Sequence, residues 1–188
     1  IKGFDEAVIG MRKGDQKTVA IPPEKGYGLS DPSNIEVRPL VQELPVKEIM
    51  NKTQFDERFG TEALGAGQVV QDPFWKWNVL VFTITGDVVT VFHQPELDVV
   101  ISPYGAWDSQ VVYIDSGANE GNGLIQVKHL LQKSDENNLK SKDDGGDFIV
   151  TNVDLGKSTF KVDYNKEVAG KTLIFRITMV EIKKPETE

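Results

Sequence analysis

A chain of 188 residues, 39% hydrophobic and 27% charged, can bury one ordinary core or two small ones. Its 21 basic and 29 acidic residues give a formal net charge of −8, which argues against a phosphate-backbone partner. No cysteine is present, which removes disulfides, thiolate nucleophiles and Cys-type zinc sites and fits a reducing cytoplasm; no apolar run approaches the ~20 residues that span a bilayer.

Phe4, Ala7, Val8 and Met11 recur at i, i+3, i+4 and i+7 and predict a short helix with one apolar face. Gly14-Asp15 turns the chain into a strand, QKTVAI, which Pro22-Pro23 stops because proline cannot donate to a ladder. The next stretch, EKGYGLSDPSN, reads as loop. Two short helices are expected at Pro45–Asn51 and Thr53–Phe59, the second with Thr53 and Asp56 in capping-box spacing and Gly60 past its end. A β-rich region follows. WNVLVFTITGDVVTVFHQ predicts a hairpin around Gly86-Asp87, and LDVVISP and VVYID predict further strands. LIQVKHLLQK suits helix or strand equally. Residues 134–147, SDENNLKSKDDGGD, read as a polar mobile loop, and FIVTNVDLGKSTFKVDY as a second hairpin turning near Asp154–Lys157. Alternation of Leu173, Phe175, Ile177 and Met179 marks a last strand, and the tail KKPETE is expected to fray. No internal repeat of solenoid period is visible.

Catalytic parts are scarce. His93 and His129 each stand alone, without the three or four convergent ligands a metal site needs, so no metal or cofactor is expected. KDDGGD lacks the spacing of a calcium loop, and GANEGNG lacks the Lys-Ser/Thr of a phosphate loop. Phe74, Trp75 and Trp77 in DPFWKWN, with Tyr104 and Trp107 nearby, leave two readings open: core filling, or an exposed apolar platform for peptide or sugar.

The segment IKGFDEAVIGMRKGDQKTVAIPPEKGYG resembles the pocket segment of FKBP-type peptidyl-prolyl isomerases, and VAGKTLIFRITMVEI resembles that family's closing strand. The two pieces stand far apart, as in long-type members that carry a chaperone domain inserted in the flap. FIVTNVDLGKSTFKVDYNKEVAGK is similar to the end of that insert. The resemblance implies an α+β fold. Residues 1–32 and 167–188 would form part of an FKBP-like antiparallel half-barrel, and 33–166 an enlarged, mostly β substrate-binding insert. It implies that Ile1 holds the substrate carbonyl through its backbone N–H, that Phe4 forms the aromatic floor, and that Tyr27 and Phe175 complete this side of the pocket. The family's N-terminal strands have no counterpart in this sequence, so the chain reads as an N-terminally truncated fragment with little isomerase activity of its own.

The function implied is cytoplasmic prolyl isomerisation on unfolded or proline-containing polypeptides, aided by the insert, with neither nucleic acid nor membrane as partner. Phe74, Trp75 and Trp77 are the substrate-binding candidates on the insert. The competing reading is a stand-alone β-rich domain that recognises protein or carbohydrate.

Overall fold

The computed structural model describes residues 1–60 and 65–183. In chain order its elements are helix α1 (Lys2–Val8), strands β1 (Gln16–Ile21), β2 (Ile35–Pro39), β3 (Val41–Leu44) and β4 (Lys47–Asn51), helix α2 (Lys52–Phe59), then strands β5 (Val69–Gln71), β6 (Asn78–Thr85), β7 (Val88–Gln94), β8 (Val100–Ile101), β9 (Ser109–Asp115), β10 (Leu124–His129), β11 (Lys140–Asp143), β12 (Gly146–Asp154), β13 (Thr159–Asp163) and β14 (Leu173–Thr178). The fold is α+β with antiparallel sheets. Two compact units divide the chain: Ile1–Ile35 with Tyr164–Glu188, and Glu36–Asp163. The part of the expected frayed tail from Lys184 onward lies outside the described residues.

In the first unit β1 and β14 pair so that Val19 faces Phe175, Ile21 faces Leu173 and Lys17 faces Ile177. Partners in an antiparallel ladder share a sheet face. Helix α1 contributes buried Gly3 and Ala7. It ends at Val8, one turn short of the face that reached Met11, and the Met11 N–H instead closes a turn on the Val8 carbonyl at 3.1 Å. Gly3 is small for a reason: a Cβ there would collide with Ile21 Cγ2 and lie 3.1 Å from Lys25 Cβ.

The second unit holds three four-stranded sheets, ordered β4-β7-β6-β5, β3-β10-β9-β8 and β2-β13-β12-β11. Each has the same plan. A central hairpin is flanked by a short strand from the 35–51 stretch on one side and by the strand preceding the hairpin on the other. The hairpins β6–β7, β9–β10 and β12–β13 each carry a one-residue bulge in the first strand, at Phe82, Val112 and Thr151. One residue before each bulge lies a fully buried valine, Val81, Val111 or Val150. Each valine accepts and donates one extra backbone bond: with Gly67 and Gln68, with Asp98 and Val99, and with Asn137 and Leu139. His93, His129 and Tyr164, each within one residue of the end of its hairpin, donate their N–H groups to the carbonyls of Val46, Leu40 and Asn34, the last pair lying just across the boundary in the first unit. Those acceptors are six residues apart. The unit is therefore a threefold internal repeat, hidden in sequence because its hairpins begin at unequal intervals and share few identical residues.

Three local expectations are corrected. Pro45–Asn51 is not a helix: Lys47–Asn51 is a strand paired along its length with β7, which buries Met50 and leaves Ile49 exposed. Ladder pairing overrides a weak helical preference. Helix α2 is capped by Asn51 and Gln54 rather than Thr53 and Asp56, while Gly60 ends it at φ 94° as expected. Residues 134–147 are not a free loop, because Lys140–Asp143 pairs with β12. The ambiguous LIQVKH segment is a strand between β3 and β9.

Candidate functional site

In the first unit, Phe4 and Phe175 come from opposite ends of the chain and meet edge to face, with centroids 5.6 Å apart. Helix α1 positions Phe4, held against β1 by the close approach at Gly3 and by Lys17 Nζ, which donates to the Ala7 carbonyl at 3.2 Å. Ile1 caps the start of α1, and its carbonyl accepts from the N–H groups of Phe4 and Asp5. Tyr27, 48% exposed, stands in the loop after the turn Pro23–Lys25 and makes no ring contact or hydrogen bond through its phenol among the described residues. Of the four residues named for this pocket, the structure thus joins two through their rings.

In the second unit Trp75 and Trp77 are 4% and 7% exposed and stack on each other at 5.1 Å, so they fill the core rather than form an exposed platform. The cause is the turn Asp72–Trp77. Fully buried Asp72 accepts the Phe74 and Trp75 N–H groups on Oδ1 at 2.9 and 2.8 Å, which folds the indoles inward. Its other oxygen takes two bonds from Arg58, at 3.1 and 2.5 Å. Arg58 also donates to Glu48 Oε2 at 2.9 Å, and the same oxygen lies 2.9 Å from His93 Nε2. His93 Nδ1 accepts from Trp77 Nε1 at 3.1 Å, which leaves the ring proton on Nε2 to donate to Glu48. That bond, aided by the Arg58 charge against the effect of burial, holds the Glu48 carboxyl below the usual range.

The second repeat copies the Trp–His pair. Trp107 Nε1 donates to His129 Nδ1 at 3.3 Å, with Ser109 Oγ 2.9 Å from the same nitrogen. Burial, reinforced by Arg38, lowers the His129 pKa to about 4. Both histidines are thus structural acceptors for tryptophan.

Counting back eight residues from the three bulges reaches Phe74, Tyr104 and Asp143. These equivalent positions converge on one groove of about 1010 Å³. Phe74 and Tyr104 form its aromatic wall, perpendicular at 5.1 Å, with Leu44 and Pro45 beside them. Helix α2 contributes Gln54, Glu57 and Arg58. Of the substrate-binding candidates Phe74, Trp75 and Trp77, Phe74 is the one that presents a half-buried aromatic ring here. The residues that composition did not single out are Asp72, Arg58 and Glu48. The available signal was the shared pattern DPFWKW and SPYGAW, an aromatic three residues before tryptophan, which marks one turn built twice.

Residues 1–85 match the family model of the FKBP-type peptidyl-prolyl cis-trans isomerases. Over 97 residues the chain is 40% identical to a short-type peptidyl-prolyl cis-trans isomerase of Methanocaldococcus jannaschii, an alignment that covers 52% of each protein. The chain thus spans about half the length of that curated relative.

Proposed function

We propose that this chain is an FKBP-type peptidyl-prolyl cis-trans isomerase of the long kind. In this reading Ile1–Ile35 with Tyr164–Glu188 supplies the isomerase wall, and Glu36–Asp163 is an enlarged insert that holds polypeptide in a chaperone-like way. The observation that carries the proposal is the Phe4–Phe175 pair. It is an aromatic contact assembled from a segment that matches the family model and from the closing strand at the other end of the chain. The reading of the chain as a stand-alone recognition domain has the match of residues 1–85 against it.

Rotation about a prolyl bond breaks no σ bond. The obstacle is amide resonance, a barrier of ~18–20 kcal/mol. The twisted amide carries less charge separation than the planar one, so an apolar aromatic surface stabilises it relative to the ground state. Phe4 and Phe175 provide such a surface, and Ile1 and Tyr27 would flank it. The test is catalysis of a proline-limited refolding reaction by this chain. A weak acceleration is expected, lost in Phe4→Ala and Phe175→Ala and partly kept in Phe175→Leu. Acceleration unchanged in all three variants would remove these rings from the reaction.

A further inference from the structure

We propose that the groove where the three equivalent loops meet binds an extended polypeptide segment in which Lys or Arg neighbours an aromatic or aliphatic residue. The inference rests on the reading of Glu36–Asp163 as a polypeptide-holding unit, and adds to it a place and a chemistry.

The place follows from the internal repeat. Three hairpins share one backbone plan, so side chains that the fold requires should agree among them. Val81, Val111 and Val150 do agree, and all are fully buried. The positions eight residues ahead of the bulges do not: Phe74 and Tyr104 are aromatic and lie in loops, whereas Asp143 stands at the third, at the end of β11. The shared backbone plan therefore does not by itself require a ring at this position, although Tyr104 also stacks on Trp107 at 4.4 Å and Phe74 meets Trp75 edge to face at 4.9 Å. Loops carried on a rigid scaffold are where binding residues concentrate. The groove's volume, about 1010 Å³, lies at the upper end of the range for ligand pockets.

The chemistry follows from the charges. Arg58 is committed to Asp72 and Glu48, and Arg38 bonds Asp143 at 2.7 Å. Glu57 and Asp144 form no ion pair among the described residues. On the basic side, Lys76 Nζ is folded back onto the Pro73 carbonyl, and Lys142 lines the groove and forms no ion pair among the described residues. Glu48 is pinned by two donors on one oxygen, Oε2, and its Oε1 accepts no bond from the described residues. Glu57, Asp144 and the fixed Glu48 therefore stand with Lys76 and Lys142 around an aromatic wall, and carboxylates outnumber the lysines there in a chain of net charge −8. A long basic side chain suits this combination, because its methylene stem covers aromatic surface while its head meets a carboxylate.

The experiment is calorimetric titration of the whole chain with unstructured twelve-residue peptides, coupled to amide chemical-shift mapping. One peptide contains Leu-Phe flanked by two lysines; its partner differs only by glutamate at those two positions. The lysine peptide should bind roughly five- to tenfold more tightly, with shifts at Phe74, Tyr104 and Glu57. Phe74→Ala should weaken both peptides. The double change Glu57→Lys, Asp144→Lys, at exposed positions and with folding checked by thermal melt, should reverse the preference. Equal affinity of the two peptides, or a preference that survives the double change, overturns the proposal. So does binding whose shifts map to the exposed outer face at Ile49, Phe82 and Val88, although the polypeptide-holding reading would then stand. Absence of binding by either peptide removes both.

Discussion

Acidification should destabilise the second unit through one buried ring. His129 is 2% exposed, and its Nδ1 is occupied by Trp107 and Ser109. Its pKa falls from 6.5 to about 4 in the folded chain, first because burial penalises the charged ring and then because Arg38 repels it. The unfolded chain therefore binds a proton that the folded chain refuses between those two values. Stability conferred by the neutral ring is whole above pH 6.5 and is lost as pH falls toward 4. Within that window the slope approaches ~1.4 kcal/mol per pH unit, and the total is on the order of 3 kcal/mol. Urea unfolding followed at fixed ionic strength from pH 7.5 to 4.5 measures the slope. His129→Gln, which keeps an acceptor for Trp107 but cannot titrate, should flatten it. Carboxylates with lowered pKa values, Glu48 among them, add their own loss only lower in the range, so the upper half of the window isolates the ring. A parent slope matched by His129→Gln, or a His129 ring that titrates near 6.5 by NMR, would refute the reasoning.

Gly3→Ala should lower stability by about 1–3 kcal/mol, since the new methyl must displace Ile21 or lift α1 from β1; thermal melts and the Phe175 ring shifts would register the change. Arg58→Met should cost roughly 3–5 kcal/mol by leaving the fully buried Asp72 carboxylate without its cation, and adding Asp72→Asn should recover part of that loss in urea titrations. Equal stability of Arg58→Met and the parent would show that Asp72 is satisfied by the Phe74 and Trp75 N–H groups alone.

Alternation made the long strands legible. WNVLVFTITGDVVTVFHQ specifies a hairpin by period and by Gly86-Asp87, and β6 and β7 meet there. The first helix, the strand stopped by Pro22 and the closing strand were equally readable from short-range pattern. What failed were elements whose structure depends on partners distant in sequence. Lys47–Asn51 has helical spacing and becomes a strand because β7 is there to pair with it; Lys140–Asp143 is polar and becomes a strand because β12 is. The site divides the same way. Phe4 and Phe175 were named from motif, and their contact needs the β1–β14 pairing and the packing of α1 on β1. Trp75 and Trp77 could not be placed by type, since the same indole serves a core or a surface. Their burial is decided by Asp72, one carboxylate that organises the turn and takes Arg58.

The threefold plan also bears on which positions of the second unit are free to vary. Every sheet buries its own valines at the bulge and draws its outer strand from one continuous stretch, 35–51, so the interior is specified three times by the same contacts. The loops eight residues ahead of the bulges escape that constraint. One is fixed by an Arg58–Asp72 pair, one by Ser141 Oγ donating to the Tyr104 carbonyl, and one by Arg38 on Asp143. The anchors differ, but the three positions are coupled: Ser141 lies on the strand that ends at Asp143, and the Phe74 and Tyr104 rings meet at 5.1 Å, so a change at one is felt by its neighbour. A surface assembled in this way varies as a coupled set where the three positions converge, and that is where the aromatic wall and the carboxylates of Glu57 and Asp144 stand together.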